Sequence, residues 1–270
     1  MSERDKVFSG SIPELYDTYL VPLIFEVYAH DLAERIAALS PKDVLETAAG
    51  SGVVTRTLAP RLGPEVRYVV TDLNQPMLDH ARSKQSADDR ITWQKADALD
   101  LPFEGESFDV LGCQFGVMFF PDKVAAFTEA RRVLKPAGRF VFNVWDEIEQ
   151  NEFAHVVTQA AGEVFPEDPP VFLARTPHGY HDMSTIRSDL RAAGFSDVLI
   201  ETVEETSTAP SPRHPAVAYC QGTPLRNEIE ARDITLLEHV TDRAAEAIAS
   251  RFGIGSVSGK IRGHVVTATR

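Results

Sequence analysis

The chain is poor in the residues that build disulfides, metal sites and membrane spans. Only 2 of its 270 residues are cysteines, Cys113 and Cys220, and they lack the spacing of zinc ligands or of a disulfide framework. No apolar run reaches the roughly 18 residues that a membrane-spanning helix needs. The first residues, Met1 to Ser11, are charged and polar. We therefore expect a cytoplasmic protein with no metal and no membrane partner.

Basic residues are also scarce. The chain has 27 lysines and arginines against 40 acidic residues, which gives a net charge of -13 at pH 7. Such a charge repels phosphate backbones, so we expect no nucleic-acid partner. Hydrophobic residues make up 43% of the chain, a fraction typical of a packed globular protein. The length favours one α/β domain, which we expect to act as a monomer or homodimer.

Short apolar runs alternate with helical patterns from Asp43 onward. This alternation predicts an α/β fold with a Rossmann-like, mostly parallel sheet of seven strands and helices on both faces. The last strand is expected to run antiparallel between the fifth and the sixth. The strands are predicted at 43–47, 67–72, 91–96, 108–114, 139–145, 196–203 and 263–269. Helices are predicted at 53–62, 75–84, 123–134 and 183–193, and two more between 209 and 252.

The first predicted strand runs into a turn of small residues, Glu46-Thr47-Ala48-Ala49-Gly50-Ser51-Gly52, and then into a helix. Such a turn lets a ligand contact main-chain N–H groups at a helix start, although a purely structural tight turn has the same composition. The dinucleotide fingerprint G-x-G-x-x-G fails here, because Thr55 stands at the position of its third glycine. A nicotinamide-dependent oxidoreductase is therefore disfavoured, and a nucleoside cofactor without a pyrophosphate is favoured.

Two acidic residues follow the next two strands. Asp72 ends the second strand, where a carboxylate can accept hydrogen bonds from both hydroxyls of an adenosine ribose. Asp97 follows the third strand, where its carboxylate can accept a hydrogen bond from the exocyclic amine of adenine. Parallel strands place these ends at one rim of the sheet. Asp72 also fits the N-cap of the next helix, and that alternative stays open.

The order and spacing of these segments resemble the class I S-adenosylmethionine-dependent methyltransferases, in particular the type 11, ubiquinone/menaquinone-biosynthesis-like group. The resemblance rests on residues 44–55, 71–78, 95–103, 108–122 and 129–142. It implies transfer of a methyl group from S-adenosylmethionine to a small-molecule acceptor, with S-adenosylhomocysteine as product. A non-catalytic subunit or sensor that binds the same cofactor remains the alternative.

The resemblance also implies which residues contact the cofactor. They are Glu46, Thr47, Ala48 and Gly50 on the methionine side, Asp72, Leu73 and Met77 around the ribose, Asp97 and Ala98 at the adenine, Gln114 and Phe115 near the sulfonium, and Tyr19 in an N-terminal lid that begins near Phe8. Ala48 departs from the family, which usually has glycine there. We expect binding to persist because alanine is the smallest replacement.

The resemblance divides the single domain as follows. Residues 1–40 form the helical lid, residues 41–146 form the cofactor-binding core, residues 147–182 and 207–256 cover the substrate, and residues 183–206 and 257–270 complete the core. No catalytic base can be assigned from the sequence. His178 and His181 are the candidates, and the alternative is that His181 and Asp182 only begin the next helix, with Asp182 as its cap.

Overall fold

The computed structural model describes residues 12–270. These residues contain one seven-stranded sheet. Its strands are β1 Asp43–Glu46, β2 Arg67–Asp72, β3 Ile91–Lys95, β4 Phe108–Gln114, β5 Leu134–Trp145, β6 Asp197–Ala209 and β7 Val257–Thr269. They lie in the order β3-β2-β1-β4-β5-β7-β6. The predicted insertion of the last strand between the fifth and the sixth is therefore confirmed.

The first five strands form the parallel part of the sheet. β1 pairs in parallel with β2 and with β4, β2 pairs with β3, and β4 pairs with β5. The C-terminal strands are antiparallel, so the Rossmann-like fold class is confirmed. Because the first five strands are parallel, their carboxyl ends lie at one edge of the sheet. This edge, which we call the carboxyl edge, carries the turn after β1 and the residues that follow β2, β3 and β4.

The helices begin and end close to the predicted positions. They are α1 Ile12–Leu15, α2 Glu26–Ala38, α3 Val53–Leu58, α4 Gln75–Lys84, α5 Lys123–Val133, α6 Glu152–Val164, α7 Phe172–Arg175, α8 Met183–Ala192, α9 Arg213–Gln221, α10 Leu225–Arg232 and α11 Leu237–Phe252. A π-helical segment, Tyr16–Phe25, joins α1 to α2 and contains Pro22. Residues 1–11 of the predicted lid lie outside the described residues. Among those described, no helix combines the length and the apolar character needed to cross a membrane.

Four elements differ clearly from their predicted bounds. The helix after the turn gives way at Ala59–Arg61 to a 3-10 turn with Pro60 near its start, because proline has no N–H to continue the α-helical ladder. The segment Lys135–Gly138, which lies between the predicted helix 123–134 and the predicted strand 139–145, belongs to β5 as an irregular stretch in which Ala137 has a φ of 62°. β6 and β7 are longer than the runs of apolar residues that predicted them.

The described chain divides into two compact units. The sheet unit comprises Glu26–Val144, His181–Val203 and His264–Arg270, and the helical unit comprises the described residues up to Phe25, Trp145–Tyr180 and Glu204–Gly263. In the sheet unit, α2 and α3 pack with Leu32 and Leu58 against Val44 and Val141 of the sheet. Phenylalanines fill a second cluster, in which the rings of Phe140 and Phe142 lie 4.7 Å apart. This packing fixes the strands whose ends carry the site.

Candidate functional site

The turn after β1 takes a backbone conformation that favours small residues. Ala48, Gly50 and Gly52 have positive φ angles of 53°, 57° and 80°. A Cβ on Gly52 would lie 2.8 Å from the Cβ of Ala81 in α4, closer than such atoms pack. Gly52 is therefore required both by its left-handed backbone and by the approach of α4. The result is a turn with little side chain at the start of α3.

Glu46 lies beneath this turn and holds it. Its Oε2 accepts a hydrogen bond of 2.8 Å from Thr55 Oγ1 and a short one from the hydroxyl of Tyr68. Burial raises the pKa of Glu46 to about 7, although these two hydrogen bonds oppose the shift. The side chain is 2% exposed. It joins the end of β1 to α3 and to β2, and these bonds orient it toward the loop.

Asp72 connects the end of β2 to the same turn. Its Oδ2 accepts a hydrogen bond of 2.8 Å from the N–H of Gly50, and its Oδ1 accepts one of 2.7 Å from the N–H of Asn74. The N-cap of α4 is Asn74, so the alternative in which Asp72 caps this helix is wrong. Burial raises the pKa of Asp72, while these bonds oppose the shift. A carboxylate offers about four acceptor positions, so capacity remains for a ligand's hydroxyls.

The residues after β2 and β3 lie next to each other at the carboxyl edge. The N–H of Ala96 donates to the carbonyl of Asp72 at 3.1 Å. Asp97 is exposed, and its Oδ1 accepts from the N–H of Leu99 at 2.9 Å, while Ala98 beside it is half-buried. Leu73 is 41% exposed.

Met77 contributes from α4. It is 4% exposed, and its Cε lies 3.8 Å from the position of a Cβ on Gly50. The structure thus groups the turn, Asp72 and Met77 closely, with Asp97 further along the same edge.

The end of β4 closes the other side of the turn. Thr47, which is 3% exposed, donates its N–H to the carbonyl of Gly112 at 3.0 Å. A Cβ on Gly116 would lie 2.5 Å from the Cβ of Ala48 and 2.8 Å from the Sγ of Cys113. The alanine that departs from the family pattern is therefore accommodated by a glycine across the edge. Phe115 also has a positive φ, 46°.

Sequence reasoning missed Asn143, the residue of β5 that pairs with Gln114 of β4. Asn143 is fully buried, and its Oδ1 accepts from the N–H of Phe115 at 2.8 Å. The available signal was a single amide inside the apolar run Phe140-Val141-Phe142-Asn143-Val144-Trp145. A polar side chain in a strand covered on both faces needs a hydrogen-bonding reason.

The remaining candidates are distributed over both units. In the helical unit, the ring of Tyr19 lies 4.8 Å from that of His214, and His178 Nδ1 lies 2.8 Å from the carbonyl oxygen of Asp146. In the sheet unit, Asp182 caps α8 by accepting from the N–H of Thr185 at 2.8 Å, and His181 precedes it. The alternative of Asp182 as a cap is therefore confirmed. Among the described residues, no group of acidic, histidine and cysteine side chains has the arrangement of a metal site.

The chain is similar to proteins of a known family. The model of the ubiE/COQ5 methyltransferase family matches residues 5–209. The chain belongs to this family. The ubiquinone/menaquinone biosynthesis C-methyltransferase UbiE of Saccharophagus degradans is 27% identical over 185 residues, which cover 64% of this chain and 74% of that protein. The demethylmenaquinone methyltransferase of Lactococcus lactis is 28% identical over 210 residues, covering 72% and 82%.

A solved structure shows the same fold. Phosphoethanolamine N-methyltransferase 2 of Haemonchus contortus, in complex with phosphomonomethylethanolamine and S-adenosylhomocysteine, superposes with a TM-score of 0.61 at 17% identity, covering 100% of this chain and 61% of that one. At this identity the likeness concerns the fold alone. Family membership confirms the predicted enzyme class, an S-adenosylmethionine-dependent methyltransferase.

Proposed function

We propose that this enzyme binds S-adenosylmethionine at the carboxyl edge of β1 to β4 and transfers the methyl group to a ring carbon of a reduced, demethylated quinone. The observation that carries the cofactor site is the pair of hydrogen bonds at Asp72. They hold a buried carboxylate against the small-residue turn through the N–H of Gly50. The relatives, named as ubiquinone/menaquinone and demethylmenaquinone methyltransferases, support the acceptor.

The residues present fit this cofactor. The turn offers main-chain N–H groups with little side chain, and Asp72 has acceptor positions left for ribose hydroxyls. Ser51 Oγ, within the turn, is buried and has no hydrogen-bond partner among the described residues. A buried hydroxyl without a partner is expected where a polar ligand binds. The implied contacts are the twelve residues named from the sequence, with Asp72 and Gly50 the best supported.

The bound cofactor supplies an electrophilic methyl group whose leaving group is neutral. The protein's part is alignment and exclusion of water, which can contribute about 7–11 kcal/mol to a bimolecular reaction. A ring carbon becomes nucleophilic when a neighbouring hydroxyl of the reduced quinone is ionised. The carbon–carbon bond would form as the carbon–sulfur bond breaks. The ring carbon would then lose its proton to a base and the oxygen would regain one, so that one proton is released overall.

Cofactor binding is tested by titrating S-adenosylhomocysteine into the wild type, Asp72→Ala and Asp89→Ala. Asp89 is exposed, so it controls for the loss of one carboxylate. Loss of two charge-assisted hydrogen bonds should weaken binding at least 100-fold in Asp72→Ala and leave Asp89→Ala at the wild-type value. Equal affinities in all three proteins would remove Asp72 from the site.

The acceptor is tested with S-adenosylmethionine and a reduced short-chain demethylmenaquinone. Mass spectrometry should find one added methyl group on a ring carbon. Phosphoethanolamine serves as the nitrogen acceptor for comparison. Turnover of the amine alone would replace the quinone assignment, while cofactor binding with no turnover of either acceptor would leave only the binding site.

A further inference from the structure

The side chain of Asn143 carries a hydrogen-bond donor that no group of the described fold accepts. It is fully buried near the carboxyl end of β5, opposite Gln114 of β4. Residues two apart in a strand point to the same face, so Asn143 shares the face of Val141, which packs in the cluster with α2 and α3. The amide is therefore placed at the edge that carries the candidate cofactor site.

The orientation of this amide is fixed by its neighbour. The N–H of Phe115 lies 2.8 Å from Asn143 Oδ1 and 3.2 Å from the main-chain carbonyl oxygen of the same residue. An N–H must face an acceptor, so the oxygen of the amide points toward Phe115 and Nδ2 points away from it. Asn143 thereby holds Phe115 in its left-handed conformation, with a φ of 46°.

The amino half of the Asn143 amide has no such partner in the described part of the chain. Nδ2 is buried and has no acceptor among the described residues. A buried donor without an acceptor destabilises a fold, so native proteins rarely retain one unless a partner arrives from outside. Replacement by leucine would remove the cost. The retained donor indicates a ligand oxygen.

The strand order indicates which ligand this is. Asp72 at β2 and Asp97 after β3 mark the nucleoside side, and the small-residue turn follows β1. β4 and β5 lie on the other side of β1 from β2 and β3. Asn143 in β5 is therefore two strands away from β1 and its turn, on the side of the sheet that is left for the acceptor.

We propose that Asn143 Nδ2 donates a hydrogen bond to an oxygen of the methyl acceptor, and that Asn143 is a positioning residue for oxygen-bearing acceptors. This inference rests on the proposed function. A donor at that oxygen favours its ionised form over the neutral one, and in a site without water such a bond is stronger than in solution. Gln114, the residue of β4 that pairs with Asn143, is half-buried beside it.

The test uses Asn143→Asp and Asn143→Leu in the full chain saturated with S-adenosylhomocysteine. The aspartate keeps an oxygen for the N–H of Phe115 and loses the donor, whereas leucine loses both. The probe is 1,4-dihydroxynaphthalene, with its Kd measured by calorimetry. We expect both variants to bind the probe about tenfold to 100-fold more weakly than the wild type. Asn143→Asp, which keeps the bond to Phe115, should bind adenosylhomocysteine within twofold of the wild type.

The outcomes separate the inference from the proposed function. If Asn143→Asp binds the probe as the wild type does and only Asn143→Leu is impaired, the amide serves Phe115 alone and the inference is overturned. If both variants bind the probe like the wild type, it is also overturned, and the function stands. If the wild type binds adenosylhomocysteine but not the probe, the acceptor class and the inference fall together. If it does not bind adenosylhomocysteine, the cofactor site itself is refuted.

Discussion

Glu46→Gln should stabilise this enzyme at neutral and alkaline pH. The buried carboxyl of Glu46 accepts hydrogen bonds from Thr55 and Tyr68 and is influenced by the charges of Arg56 and Asp72. Burial is the largest of these influences, so the folded protein disfavours the ionised form. Glutamine keeps a carbonyl oxygen for the two donors and removes the charge.

The magnitude follows from the pKa. Folding raises the pKa of Glu46 from 4.5 to about 7, and each unit of pKa difference corresponds to about 1.4 kcal/mol. Between these two values the folded state binds more protons than the unfolded state, so stability falls as the pH rises. The cost of ionisation is absent below pH 4.5, builds up to about 3 kcal/mol near pH 7 and stays constant above it.

The assay is urea unfolding of the wild type and Glu46→Gln between pH 4.5 and 8.5. The two free energies of unfolding should agree at the acid end and diverge by about 3 kcal/mol at the alkaline end. Glu149→Gln is the control, because Glu149 is exposed, and its curve should follow the wild type. A Glu46→Gln protein less stable than the wild type at pH 8 would refute the reasoning, since it would mean that the native carboxylate is stabilised as a charge.

Three further predictions concern a close packing contact, the two buried thiols and a buried ion pair. Gly116→Ala should cost about 1–3 kcal/mol in urea unfolding, because the new Cβ would lie 2.5 Å from that of Ala48. Ala48→Gly should recover part of that loss, since the contact of the new Cβ with Cys113 Sγ remains, and additivity in the double mutant would contradict the contact with Ala48. Burial raises the pKa of the Cys113 and Cys220 thiols to about 12, so an aromatic disulfide reagent should leave both unmodified in the native protein at pH 8 and label them in urea. Rapid labelling of the native protein would show that a thiol is accessible. Arg262→Met should destabilise the protein by about 3 kcal/mol, because it leaves the buried carboxylate of Asp146 without its ion pair. Asp146→Asn should restore part of this loss, and a loss below about 0.5 kcal/mol would mean that the pair contributes as little as a surface one.

Local patterns in the sequence were sufficient for the parallel half of the fold. Apolar runs and the residues between them predicted β2 and β4 with the observed bounds, because a strand buried on both faces is a continuous apolar run. Gly50 and Gly52 likewise predicted a tight turn between β1 and α3 from local composition alone. The end of β6 was missed because its residues Glu204–Thr208 are polar and lie in the edge strand of the sheet. The start of β7, between β5 and β6, was missed because its residues alternate with serine, lysine and arginine and form no continuous apolar run.

The site shows the same division. The sequence by itself determined that Asp72 and the small-residue turn meet at one edge, since parallel strands bring their carboxyl ends together wherever they occur. Only the tertiary structure decided that Asp72 bonds to Gly50, that Glu46 serves Thr55 and Tyr68, and that Ala48 requires the glycine at 116. It also decided that Asn143 faces Phe115 with one half of its amide. These contacts join residues distant in the chain, and their distances are set by how strands and helices pack.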